Sequence, residues 1–109
     1  MAHTTIKNIS QLQIEGAVLQ KFLFGETQIA LLFSGNKQMD INNFWELYED
    51  GTAGVIDKGL SLKFREKLLL YRLIGKKCVK VTKDPFFIEI YFDGGLRLVV
   101  HKGNHANAM

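Results

Sequence analysis

Two segments of this chain resemble each other at a constant spacing of 59 positions, without a gap. Each segment has a glycine, a short apolar run, an alternating run that ends in Phe, a glycine turn and a second alternating run. Alternation with a period of two indicates a β-strand, and a glycine turn between two such runs indicates a hairpin. The pattern therefore predicts two repeats, over about 16–41 and 75–100, each a β-meander of about three strands. The matched pairs include Gly16 and Gly75, Lys21 and Lys80, Phe33 and Phe92, and Gly35 and Gly94.

The same pattern predicts the bounds of the individual strands. Ser34, Gly35 and Asn36 form the turn of the first hairpin, because Gly and Asn tolerate positive φ. Asp93 and the glycine that follows it take the equivalent place in the second hairpin. The predicted strands are 17–24, 27–33 and 37–41 in the first segment, and 77–82, 86–92 and 96–100 in the second.

One amphipathic helix is predicted near residues 61–73. Leu62, Leu69 and Leu73 recur on one face, which is the spacing of a helix that packs against a core. Ser61 suits the N-cap of this helix, and Gly75 suits its end. The expected fold is α+β and mostly β: two small sheets form a sandwich or half-barrel, with the helix closing an open side.

Length and composition indicate a single domain over residues 1–109. Apolar residues make up 47% of the chain and charged residues 23%, which are ordinary globular values. Cys78 is the one cysteine and cannot form an internal disulfide, which suits a reducing cytoplasm. The sequence lacks the apolar block of a secretory signal and the roughly 18 apolar residues of a membrane span. We therefore expect a cytoplasmic protein without membrane contact, with residues 101–109 as a frayed tail.

Nothing in the sequence indicates catalysis, a metal or a cofactor. His101 and His105 have a spacing that suits metal binding on a helix, but the Lys-Gly-Asn between them is a poor helix former. Asp93 suits a turn, where its carboxylate makes local hydrogen bonds. No glycine-rich phosphate loop and no combination of nucleophile and base is present. The prediction is a non-enzymatic protein with no metal and no cofactor.

The best interaction candidate lies between the two repeats. Trp45 and Tyr48 are residue types that anchor protein interfaces, and acidic residues surround them in the sequence. Such a cluster suits a basic protein partner. An equally weighted alternative is that Trp45 packs in the core. The predicted partner-binding residues are Trp45, Glu46, Tyr48, Glu49 and Asp50.

A basic segment offers an alternative binding face. The net charge of the chain is +3, and residues 58–83 hold nine Lys and Arg against one Glu. Lys76, Lys77 and Lys80 stand near aromatic residues, a combination found in nucleic-acid-binding strands. Nucleic acid is the weaker hypothesis, because the acidic segment would repel phosphates. A homodimer formed through a sheet edge stays open as a third possibility.

The second repeat also resembles a known family. It reads Leu-Ile-Gly at 73–75, Val-Lys-Val at 79–81 and Ile-Glu-Ile-Tyr-Phe-Asp-Gly-Gly-Leu-Arg-Leu-Val-Val at 88–100. This is similar to the closing part of a family of small uncharacterised bacterial domains. The pattern of that family begins with Leu, any residue and Gly, and continues with a strand, an acidic turn and a second strand. It ends with the residues Phe-Asp-Asp-Gly and a last strand. The similarity covers about residues 14–100, and Gly95 departs from the pattern, which prefers a polar residue there.

Several proteins of this kind are immunity proteins, which neutralise the toxin of a contact-dependent or secreted bacterial competition system. The resemblance therefore implies an immunity protein that binds a cognate toxin domain and blocks its active site. The shared residues shape turns and the core, so no functional residue is carried over from the family.

Overall fold

The computed structural model describes residues 13–25, 28–59 and 69–102, and this part of the chain is mostly β. It contains two antiparallel sheets, of three and five strands, and a short 3₁₀ helix. Six of the strands lie within two residues of their predicted bounds, so these predictions are confirmed. The elements in chain order are β1 (Leu19–Phe24), β2 (Ile29–Phe33), β3 (Lys37–Ile41), β4 (Trp45–Glu49), β5 (Asp57–Gly59), the 3₁₀ helix (Leu69–Leu73), β6 (Cys78–Lys83), β7 (Phe87–Phe92) and β8 (Leu96–His101).

The three-stranded sheet has the order β1-β2-β3. Its second hairpin is closed between Phe33 and Lys37, which pair directly across the turn. Gly35 and Asn36 in this turn have φ of 79° and 62°, a left-handed conformation that Gly and Asn adopt at little cost. The chain therefore reverses at the place where the sequence pattern predicts it.

The five-stranded sheet has the order β5-β4-β8-β7-β6. We expected a meander of three strands here, but β4 pairs with β8 and β5 pairs with β4, so the sheet gains two strands. Trp45 and Leu47 are buried, whereas Glu46 and Tyr48 on the other face of β4 are partly exposed. This alternation is typical of a strand with one buried face.

The two sheets meet at the beginnings of β1 and β6. Val18 forms an antiparallel bridge with Lys77. The amide of Gly16 donates to the carbonyl of Cys78 at 2.6 Å, and the amide of Gly75 donates to the carbonyl of Leu19 at 2.8 Å. Backbone hydrogen bonds thus join the two sheets at one edge of each.

One hydrophobic core lies between the inner faces of both sheets. Phe33 on β2 stacks against Phe92 on β7, with ring centroids 6.4 Å apart and an angle of 11° between the planes. Burial of such side chains is the main favourable contribution to folding. The core members with almost no exposure include Leu19, Leu31, Phe33, Met39, Trp45, Leu47, Leu70, Leu73, Cys78, Ile90 and Leu98.

The predicted helix near residues 61–73 falls mainly outside the described residues. Its described end, Leu69–Leu73, is a 3₁₀ helix, with Leu70 and Leu73 buried in the core. The carboxylate of Asp57 accepts a hydrogen bond from the amide of Leu69 at 3.0 Å and so holds the start of this helix next to β5. The described part of the chain contains no helix that could span a membrane.

Candidate functional site

The five-stranded sheet has a polar and aromatic face that points away from the core. We call it the outer face; it is formed by alternate residues of β4, β8, β7 and β6, and by Phe44, which directly precedes β4. Strand pairing places its side chains in cross-strand rows, with adjacent strands about 4.8 Å apart. The first row is Tyr48, Arg97, Tyr91 and Lys80; the second is Glu46, Val99, Glu89 and Thr82; the third is Phe44, His101 and Phe87.

Arg97 lies between two tyrosines in the first row. Its guanidinium carbon is 4.4 Å from the ring centroid of Tyr48 and 5.9 Å from that of Tyr91. The ammonium group of Lys80 lies 5.5 Å from the centroid of the same Tyr91 ring, on the strand beyond it. Such cation–π contacts restrict the long cationic side chains and leave their polar ends at the surface.

Each of these tyrosines donates a hydrogen bond to a glutamate of the second row. The hydroxyl of Tyr48 is 3.2 Å from Oε1 of Glu46, and the hydroxyl of Tyr91 is 2.7 Å from Oε1 of Glu89. Burial, and then the charge of Glu46, raise the pKa of Tyr48. The hydrogen bond to Glu89, and then burial, raise the pKa of Tyr91. Both hydroxyls therefore stay protonated as donors near neutral pH, which fixes the orientation of the rings.

His101 continues the outer face into the third row. Its ring packs edge to face against Phe44 and Phe87, with centroids 4.9 and 4.8 Å away. Nε2 of His101 lies 3.2 Å from Oε1 of Glu46. We predicted that 101–109 is a frayed tail; for His101 this is wrong, because its backbone completes β8 and its side chain is enclosed by two aromatic rings. Residues 103–109 lie outside the described residues.

The histidines and acidic residues that the structure describes were considered as metal ligands. Within residues 13–25, 28–59 and 69–102, no group of three or more His, Cys, Asp and Glu side chains could hold a metal ion. His101 instead contacts a single carboxylate, and His105 lies outside the described residues. On the outer face the side chains can donate and accept hydrogen bonds and stack against a binding partner.

The five predicted partner-binding residues are divided between different environments. Glu46 and Tyr48 lie on the outer face. Trp45 is 1% exposed and belongs to the core, so the prediction that it anchors a partner is wrong for this conformation. The physical reason is the strand itself, since successive side chains point to opposite faces and Trp45 shares its face with the fully buried Leu47. The structure thus supports the alternative that Trp45 is a packing residue.

Glu49 and Asp50 do not belong to the outer face. The carboxylate of Glu49 accepts two hydrogen bonds from Arg72, at 2.6 and 3.0 Å, and this lowers the pKa of Glu49. The bond ties the end of β4 to the 3₁₀ helix. Asp50 lies in the turn after β4, where its amide donates to the carbonyl of Gly95 at 2.8 Å. Both residues therefore stabilise the end of β4 and the turn after it.

The alternative basic face is also divided. Lys80 is exposed and lies on the outer face beside Tyr91. Lys77 is exposed at the bridge to Val18, where the two sheets meet. Lys76 is half-buried, and its side chain extends over Gly94 in the turn between β7 and β8. The three lysines therefore occupy different parts of the fold, and the outer face includes Lys80.

Arg97, Glu89 and His101 were not among the predicted site residues. Each is recognisable in the sequence as the polar member of an alternating strand. Their proximity depends on the pairing of β8 with both β4 and β7, which a single sequence does not specify. The outer face is therefore visible only in the folded protein.

Comparison of the chain with protein families, with curated proteins and with solved structures gives no match. A function must therefore be inferred from the outer face and from the physical properties of its side chains.

Proposed function

We propose that this protein is a non-catalytic immunity protein that binds a cognate bacterial toxin domain and blocks its active site. In this proposal it acts in the cytoplasm of the bacterium that makes it, and it requires no cofactor. The contact surface is the outer face of the five-stranded sheet. The observation that carries the proposal is the row in which Arg97 contacts both Tyr48 and Tyr91.

The composition of this row is that of protein interfaces. Tyr and Arg are enriched among the residues that dominate binding free energy. Hydrogen bonds to Glu46 and Glu89 hold the two tyrosines, and the tyrosines in turn restrict Arg97. Side chains that are already ordered lose less conformational entropy when a partner binds. The face is therefore suited to bind a protein without rearrangement.

The same geometry favours binding over catalysis and over contact with nucleic acid. Glu46 accepts from Tyr48 and lies beside His101, and Glu89 accepts from Tyr91 and lies beside Arg97, so each carboxylate already has two polar neighbours. Both carboxylates also lie one row away from the cations, where they would repel a phosphate backbone.

We also infer that the two meanders are copies of one unit. The bulges lie between Leu19 and Lys21 and between Cys78 and Lys80, again 59 positions apart. The hydrogen bonds between the sheets occur in matched pairs, as expected for two related halves: Gly16 donates to Cys78, and Gly75 donates to Leu19. In this proposal β4 and β5 are the addition that distinguishes the second sheet.

The test of the proposed function is coexpression with a candidate toxin domain. The candidate is the variable C-terminal domain of a large secreted protein encoded upstream, if the neighbouring gene is of that kind. We expect a stable complex and protection of growth. Tyr48→Ala or Tyr91→Ala should weaken binding by about 2 kcal/mol, or roughly thirtyfold, as for interface residues of this type.

A matched control lies on the first sheet. Gln38 precedes Arg97 by 59 positions and occupies the corresponding place on β3. Gln38→Ala should leave the affinity of the complex unchanged. A complex that tolerates both tyrosine substitutions, with the protein still folded by circular dichroism, would show that the outer face is not the binding surface.

A further inference from the structure

We propose that Arg97 and Lys80 form a carboxylate-binding pair that recognises an acidic side chain on the partner protein. The proposal rests on the proposed function, because it assumes that the outer face binds a protein. The proposal names the chemical group on the partner that the outer face recognises.

The two cations stand on the strands either side of Tyr91, and each contacts its ring. Arg97 pairs with Tyr91 across β8 and β7, and Lys80 pairs with Tyr91 across β6 and β7. Their charged groups lie 5.9 and 5.5 Å from the centroid of that ring. Since they are two strands apart, their Cα atoms are separated by about 10 Å, and both long side chains incline toward the ring between them. In this proposal the acidic group of the partner binds at the Tyr91 ring, toward which both cations are directed.

Most hydrogen-bond donors of this pair have no acceptor among the described residues. Nη1 of Arg97 is 3.5 Å from Oε1 of Glu89, a weak contact at the limit of a hydrogen bond, and its guanidinium has five N–H donors. Lys80 contacts the Tyr91 ring and forms no ion pair with a carboxylate in the described ranges. Arg97 keeps 34% of its side chain exposed, so an incoming anion can approach it.

The geometry favours a carboxylate over other groups on a partner. An arginine held by a tyrosine 4.4 Å away presents its planar donors in a fixed direction, which matches the two oxygens of a carboxylate. Glu46 and Glu89 in the neighbouring row disfavour a polyanion whose charges lie along its backbone, such as single-stranded nucleic acid. A glutamate carries its charge at the end of a flexible side chain, so it can place one carboxylate in the first row while its backbone stays away from the two glutamates. Charge complementarity therefore assigns an acidic patch to the partner.

The first sheet provides a comparison within the same molecule. Lys21 and Gln38 precede Lys80 and Arg97 by 59 positions, and Leu32 takes the place of Tyr91. This row has one cation, no arginine and no aromatic ring. It should therefore not bind a carboxylate, which makes Lys21→Ala the matched control for Lys80→Ala.

The test measures fluorescence anisotropy with labelled probes on the full chain. The probes are a hexaglutamate peptide, a hexaglutamine peptide and oligo-dT. We expect hexaglutamate to bind more tightly than either other probe. Arg97→Gln and Lys80→Ala should each weaken hexaglutamate binding about tenfold, as expected for loss of a charge-assisted contact, whereas Lys21→Ala should not change it. Circular dichroism confirms that each variant is folded.

Three results would overturn the carboxylate proposal: no saturable binding of hexaglutamate, an equal loss in Lys21→Ala, or tighter binding of oligo-dT. The complex with the toxin domain separates this failure from failure of the proposed function. If Tyr48→Ala weakens that complex but Arg97→Gln does not, the outer face binds protein without selecting an acidic group. If neither substitution weakens it, the outer face is not the binding surface and both proposals are wrong.

Discussion

At the scale of the residue, the direction of each side chain determines its role. Trp45 and Tyr48 are three positions apart on β4, yet one is in the core and the other contacts Arg97 at the surface. Cys78 is similarly fixed by its position: it is fully buried, and this burial raises the pKa of its thiol to about 11. A thiol with so high a pKa forms little of the reactive thiolate near neutral pH, so Cys78 is a packing residue.

The burial of Trp45 leads to a prediction about stability. Trp45→Ala should lower the free energy of unfolding by about 3–5 kcal/mol, because it removes a large core side chain and leaves a cavity. Tyr48→Phe on the same strand removes only a hydroxyl and should cost about 1 kcal/mol. Urea denaturation followed by far-UV circular dichroism measures both. A loss of less than about 1 kcal/mol for Trp45→Ala would place this side chain outside the core.

At the scale of the element, the hairpin turns determine where strands begin and end. Gly94 and Gly95 between β7 and β8 have φ of 86° and 83°, a conformation that L-residues with a side chain rarely adopt. Gly95 also lies close to the turn that follows β4: a Cβ atom at position 95 would lie 3.1 Å from a carboxylate oxygen of Asp50. This turn therefore also supports the connection from β4 to β5.

Because Gly95 is crowded by Asp50, we expect its substitution to lower the stability of the protein more than a glycine substitution in the corresponding hairpin of the first sheet. Gly95→Ala should destabilise the protein by more than the 1–2 kcal/mol expected from positive φ alone. Gly35→Ala has a similar φ of 79°, but the nearest atom to its new Cβ is the end of the Lys37 side chain at 3.8 Å, so it isolates the backbone effect. Thermal unfolding of both variants gives the comparison. Equal losses would mean that Asp50 moves away without cost.

At the scale of the whole molecule, the protein is two sheets that share one core. The backbone bridge between Val18 and Lys77 joins their edges, and the stacked rings of Phe33 and Phe92 join their inner faces. Among the described residues, each sheet buries its apolar face against the other and would expose that face without it. We therefore expect the two sheets to unfold together.

The stacking between sheets can be measured with a double-mutant cycle. Phe33→Ala and Phe92→Ala should each cost about 3–5 kcal/mol, and the double variant should cost about 0.5–1.5 kcal/mol less than their sum, because the second change removes a contact already lost. As a control, Phe33→Ala combined with Phe86→Ala should be additive, since Phe86 is 51% exposed and contacts Phe87 instead. Additivity of Phe33 and Phe92 would mean that the sheets pack without coupling between these rings.

Strands β1–β3 and β6–β8 were predictable because their evidence is local. An apolar side chain at every second position and a glycine at each turn suffice to define a strand and its end, as in β2 with Ile29, Leu31 and Phe33. The same alternation could have assigned Trp45 to the core, since Leu47 shares its face. The single sequence left that choice open because Trp is common both in cores and in interfaces.

The pairing of β4 with β8 was decided by the tertiary structure. This pairing brings Tyr48 next to Arg97 and Glu46 next to His101, although the members of each pair are about 50 positions apart in the chain. Local periodicity shows which face a side chain takes, but the neighbour across the sheet depends on which strands bury their apolar faces best together. The sequence alone determined six strands and their hairpin turns. The folded chain determined the place of β4 and β5 and with it the outer face, because that face consists of contacts between distant segments.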